Sequence, residues 1–115
     1  MGQQGMTNFE ERRADRRYKV SFRVHWGREE SPEYEGEVTD LGAGGCFVES
    51  GGEVSEGDLV KMRFDIPGRG ELTLWGNVAY WIRDTGFGLR FSAYFQGGAR
   101  EKLETLLFEE SRQSS

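Results

Sequence analysis

Four arginines, Arg12, Arg13, Arg16 and Arg17, stand together with Lys19 in a chain whose overall balance is acidic. A guanidinium is a planar fork of donors that takes a phosphate, or the O6/N7 edge of a guanine, in two parallel hydrogen bonds, and it also stacks on bases. Arginines spaced four apart can embrace a guanine nucleotide. Composition alone favours a plainer reading, a solvated flank pairing with Glu10, Glu11 and Asp15. A second cluster is Asp40-Leu41-Gly42-Ala43-Gly44-Gly45. Its carboxylate can accept guanine N1–H and N2–H, and its glycines permit positive φ and a close approach of ligand to backbone. By itself this cluster is equally a glycine-rich hairpin turn or bulge.

Other chemistry finds little support. The single histidine, His25, falls on the polar face of an alternating run with no nucleophile near it in sequence, and no G-x-S-x-G or H-E-x-x-H pattern surrounds it. The carboxylates, Glu29-Glu30 and Glu109-Glu110 among them, read as solvating charge rather than as an isolated acid/base pair. One histidine and one cysteine, Cys46, do not make a metal ligand set, and no Lys-Ser or Lys-Thr follows the glycines near Gly42 as a Walker loop requires. The expectation is a protein that is not an enzyme and holds neither metal nor cofactor.

The elements that must position these residues read as strands. Tyr18, Val20, Phe22, Val24 and Trp26 alternate with polar residues, the period of a half-buried strand. A polar turn over Gly27 to Pro32 follows, then an extended run from Tyr34 to Thr39 that the glycine cluster interrupts, then a strand from Cys46 to Glu49. Leu59 to Ile66 is β-branched and aromatic with less tidy alternation, and Pro67-Gly68-Arg69-Gly70 closes a hairpin. Leu72 to Ile82 is a long run with Leu72, Leu74, Gly76, Val78, Tyr80 and Ile82 on one face and a kink expected at Gly76. Phe87, Leu89 and Phe91 continue the meander. Beyond Gly98 the period changes: Ala99, Leu103, Leu106 and Leu107 mark an amphipathic helix over 98–110, laid against the sheet. Short strands punctuated by turns, then one helix, imply an all-β fold, an antiparallel barrel of about six strands with a C-terminal α-helix, because closure removes exposed sheet edges.

A chain of 115 residues is the size of one domain and buries roughly two-thirds of its unfolded surface. The expected organisation is one domain over 1–115: a flexible arginine-rich segment 1–17, a barrel over 18–92 and the helix. Fifteen Lys and Arg against 20 Asp and Glu give −5, and no basic stripe runs along the strands, so nucleic-acid binding is disfavoured. A mean hydropathy of −0.69 leaves no run long enough for membrane insertion. A lone cysteine and the lack of a secretory signal suit a cytoplasmic protein.

Taken together, the motifs resemble the PilZ domain family, bacterial receptor modules for the second messenger cyclic di-GMP. The resemblance rests on Glu11-Arg12-Arg13-Ala14-Asp15-Arg16-Arg17, on Asp40 to Gly45, on Gly76-Asn77-Val78, and on Gly86-Phe87-Gly88-Leu89-Arg90-Phe91, in the family's order. It implies a six-stranded barrel with a C-terminal helix, as the periodicity does. It further implies that Arg13 and Arg17 form the ligand-binding arginine pair, with Arg12 an added contact and Arg12/Arg16 the other register. Asp40 would hold a guanine edge, and Gly45 would keep the turn open beneath the nucleotide. Tyr80 matches a position where some members stack an aromatic on a base, against its plainer role as a barrel core residue. The pattern departs at Gly42, where the family has Ser; a missing hydroxyl contact is worth about 0.5–1.5 kcal/mol.

The function so implied is that of a cyclic di-GMP receptor and adaptor: ligand binding changes its surface and regulates an effector protein in bacterial motility or surface behaviour. The alternative is a PilZ-like protein-interaction adaptor that does not bind the nucleotide.

Overall fold

The computed structural model describes residues 16–28, 33–92 and 97–113. Arg12, Arg13 and most of the turn expected over Gly27 to Pro32 lie outside the described residues. Six strands follow in order: β1 (Arg17–Gly27), β2 (Tyr34–Gly42), β3 (Gly45–Glu49), β4 (Leu59–Ile66), β5 (Gly70–Ile82) and β6 (Gly86–Phe91). A helix, α1 (Ala99–Gln113), comes last. Every pairing is antiparallel, and the sheet closes on itself in the order β1-β2-β3-β6-β5-β4, with β4 returning to β1. This is the barrel and C-terminal helix that the alternating runs implied.

Alternation fills the barrel. Phe22, Val24 and Trp26 from β1, Val38 and Leu41 from β2, Cys46 and Val48 from β3 and Phe87 and Leu89 from β6 all turn inward and are buried. From β4 come Val60, Met62, Phe64 and Ile66, a stricter alternation than the sequence suggested. Each such side chain contributes about 1.5–3 kcal/mol when it leaves water. Trp26 is the largest of them and its polar edge is satisfied: Nε1–H donates to Ser50 Oγ at 2.9 Å, and that hydroxyl donates to the Glu35 carbonyl at 3.0 Å. Leu103 and Leu106 bury one face of α1 against the barrel, with Ala99 and Leu107 packed at its margin. An Arg69–Glu109 ion pair fastens the helix to the β4–β5 turn.

Three bulges decide which residues share the outer face, one of them in β2 between Val38 and Asp40, where it carries one residue more than β3. Between Lys19 and Phe22, β1 carries one residue more than β2, and between Val78 and Tyr80, β5 carries one more than β6. An extra residue shifts the side-chain phase. Leu72, Leu74, Gly76 and Val78 accordingly face inward, whereas Tyr80 and Ile82 emerge outside. The break in β5 is at Ala79, not at Gly76, and Tyr80 is not a core residue. At the far end of β1, Asp58 Oδ2 accepts the Ser55 N–H at 2.9 Å and Arg28 Nη2–H at 2.9 Å, holding that carboxyl below the usual carboxylate range.

Candidate functional site

Glycine-cluster geometry differs from the sequence expectation in two respects. β2 does not stop at Thr39; it runs on through Asp40, Leu41 and Gly42, and only Ala43 and Gly44 make the turn to β3. None of Gly42, Gly44 and Gly45 has positive φ. Two of them instead serve close approach. A Cβ on Gly45 would meet the Leu89 carbonyl oxygen at 2.1 Å, and one on Gly42 would meet the Arg16 carbonyl oxygen at 2.7 Å and Arg17 Cδ at 2.8 Å.

The register then assembles the site. Arg17 pairs with Gly42, and Lys19 with Asp40, so the first arginines and the Asp40 motif lie on adjacent strands. Because residue 42 lacks a side chain, the Arg17 stem crosses the strand there, and its Nη1 reaches Asp40 Oδ1 at 2.6 Å. The two side chains are 44% and 39% exposed, so the pair adds at most about 1 kcal/mol to stability and stays accessible to a ligand. Arg16 goes elsewhere, its guanidinium 5.2 Å from the centre of the Tyr18 ring. Of the arginine registers raised above, the described residues therefore bring Arg17, and not Arg16, to Asp40. Gly45 is buried at the β3–β6 contact, where it packs backbone on backbone.

The same outer face extends the site. Register aligns Lys19, Asp40, Phe47, Gly88 and Tyr80 on five neighbouring strands. Gly88 has no side chain, so the Tyr80 ring lies over it, 2.3 Å from where a Cβ would stand, and stacks on Phe47 with centroids 6.1 Å apart. A cleft of about 540 Å³ opens here, lined by Arg17, Gly44, Tyr80, Gly88 and Arg90 among others. The hairpin at its edge is fixed from two sides: Gly44 O accepts the Phe91 N–H at 2.8 Å, and Ala43 O accepts Arg100 Nη1–H at 3.0 Å. Arg90 and Arg100 were not singled out from sequence. The only signal for them was the place of Arg90 within the Gly86–Phe91 motif and of Arg100 at the start of α1.

Beneath this surface lies Cys46, paired in register with Leu41 and buried, its Sγ 3.9 Å from Met62 Sδ. Burial pushes its thiol pKa far up, against a smaller opposing pull from Arg17. Such a thiol is inert. His25 is half-buried, with Nε2 3.9 Å from Glu35 Oε2. No group of His, Cys, Asp and Glu able to hold a metal occurs among the described residues, and no described helix is long and apolar enough to cross a membrane.

The sequence matches the PilZ domain over residues 11–109, and the chain belongs to that family. Solved structures agree on the fold. The PilZ domain of YcgR from Escherichia coli with c-di-GMP superposes with a TM-score of 0.70 at 12% identity, covering 86% of this chain and 91% of that one. MotI/DgrA, the inhibitor of motility from Bacillus subtilis, gives 0.67 at 16% identity, covering 86% of this chain and 51% of its own. The MrkH–c-di-GMP complex from K. pneumonia gives 0.62 at 19% identity, covering 86% and 52%. The chain thus spans about half the length of the MotI and MrkH chains. No curated protein matches the chain in sequence.

Proposed function

We propose that the chain is a cyclic di-GMP receptor domain that performs no chemistry and passes its signal to an effector protein through a ligand-dependent change of surface. The observation that carries this reading is the Arg17–Asp40 contact, which joins the two motifs the sequence set apart and borders an open cleft. Asp40 is an acceptor for a guanine edge, Arg17 and Arg13 are donors for phosphate or guanine O6/N7, and Arg12 adds a further cation. Tyr80 offers an exposed ring for a base. The contact occupies one guanidinium nitrogen and one carboxylate oxygen, so a dianionic ligand can engage the remaining donors and acceptor and compete for the shared ones. The rearrangement of the two side chains is the change an effector reads.

Two relatives of similar fold are described as bound to c-di-GMP and another as an inhibitor of motility, which supports the ligand and makes motility the first process to examine. The test is isothermal titration of cyclic di-GMP into the protein and into the Arg13→Ala/Arg17→Ala variant. Binding at micromolar or tighter affinity, lost in the folded variant, is the expected result. No heat at high nucleotide concentration, with an unchanged melting temperature, would replace the receptor by a nucleotide-independent adaptor, for which exposed Trp81 and Ile82 at the end of β5 supply an apolar surface.

A further inference from the structure

The charge lining the cleft beside the β2–β3 hairpin is unusual for this protein. The chain carries −5, and carboxylates line other clefts: one along β1 and β2 holds Glu35, Glu37 and Glu49 with Arg23, and one beneath α1 holds Glu71 and Glu101 with Arg69 and Lys102. A third, beside the β4–β5 turn, holds Asp65 and Glu71 with Arg23. The cleft at Gly44 has no carboxylate among the described residues that line it, and it has two guanidinium groups, Arg17 from β1 and Arg90 from β6.

Those two arginines differ in what they already hold. Arg17 is engaged with Asp40, as Arg28 is with Asp58, Arg63 with Glu33 and Arg69 with Glu109. Arg90 is exposed and its side chain has no hydrogen bond or ion pair among the described residues. Its register neighbours leave it open. On the β3 side it pairs with Gly45, which has no side chain, and on the β5 side with Asn77, whose amide donates to the Gly57 carbonyl at 3.2 Å.

We propose that Arg90 is a ligand-binding residue of this cleft, its guanidinium fork taking an anionic or guanine-edge group of the nucleotide on the side opposite Arg17. The proposal rests on the receptor reading above and extends it to a strand that neither the arginine segment nor the Asp40 motif contains. A cleft of about 540 Å³ falls in the range of roughly 300–1,000 Å³ that small-molecule sites occupy. In it, guanidinium groups from two separate strands meet the ligand, and Tyr80 forms part of the wall.

The experiment is titration of cyclic di-GMP into wild type, Arg90→Ala and Arg90→Lys, each at low and at physiological salt, with melting temperatures recorded alongside. The alanine variant is expected to melt within a few degrees of wild type and to bind roughly tenfold or more weakly, since hydrogen bonds to charged groups are the strong ones. Its affinity should also depend less on salt, because one screened charge contact is gone. Lysine should recover part of the loss, restoring the charge but not the fork. Equal affinity of wild type and Arg90→Ala overturns the role of Arg90 and leaves the receptor reading intact. Weaker binding with an unchanged salt dependence assigns Arg90 a structural part instead and also overturns the proposal. No binding by wild type overturns both readings. If Arg90→Ala does not fold, the lysine variant decides: affinity equal to wild type overturns the proposal.

Discussion

The side chain of Arg17 lies over Gly42, with its Cδ 2.8 Å from where a Cβ on residue 42 would stand. The absent side chain is what lets the guanidinium cross β2 and reach Asp40 at 2.6 Å. From sequence, glycine at this position reads as the loss of a hydroxyl. In the folded chain it is also a gain, because it gives Arg17 its seat.

Replacing Gly42 by Ser should therefore not repair the site. A Cβ there meets the Arg16 carbonyl oxygen at 2.7 Å, and backbone cannot swing aside as a side chain can. The variant should lose about 1–3 kcal/mol by overpacking, read as a lower denaturant midpoint, and its cyclic di-GMP affinity should not exceed that of wild type. Tighter binding by Gly42→Ser at unchanged stability would show that the hydroxyl matters more than the seat.

Asp40→Asn separates recognition from folding. The ion pair it breaks is half exposed, so stability should change by less than about 1 kcal/mol in urea denaturation. An amide can no longer accept a guanine edge through both oxygens, and affinity by titration should fall by about 1.5–3 kcal/mol, a tenfold loss or more.

Gly45→Ala should behave in the opposite way. Its Cβ would stand 2.1 Å from the Leu89 carbonyl oxygen, between β3 and β6 where neither backbone can yield without breaking the barrel. We expect a loss of more than about 3 kcal/mol, seen as a collapsed melting temperature, with any loss of ligand binding following from unfolding.

Cys46 links stability to alkaline pH. Burial raises its thiol pKa in the folded chain, so the native state keeps the proton that the unfolded chain releases above about pH 8.5. Its contribution is fully present below that pH and is lost progressively as pH rises above it. Cys46→Ala should flatten the alkaline limb of the stability profile measured by urea titration, and the native wild-type thiol should resist a thiol-specific reagent until the protein unfolds.

How far the sequence could be read depended on whether each signal was local. Alternation in β1 is written in consecutive residues and directly gives Phe22, Val24 and Trp26 as inward positions, whereas in β4 the run reads as less tidy than the strict alternation it folds into. The bulge at Ala79 is not, because an extra residue in β5 is defined only against β6; the run to Ile82 therefore reads as one unbroken face, and Tyr80 falls inside it. For the same reason the glycine cluster reads as a turn needing positive φ, when two of its three glycines are there because another strand comes close.

Period-two alternation, turn residues and the change to a helical period beyond Gly98 determined the strand count, the closing of the sheet and the C-terminal helix, since hydrophobic periodicity acts over a few residues. The two arginine and glycine motifs likewise marked the residues from which the site is drawn. Only the tertiary structure decided that Arg17 rather than Arg16 meets Asp40, that Gly42 is the seat which permits it, and that Arg90 and Tyr80 share the cleft. Those relations join residues far apart in the chain through strand register, and register belongs to pairs of strands, not to either sequence alone.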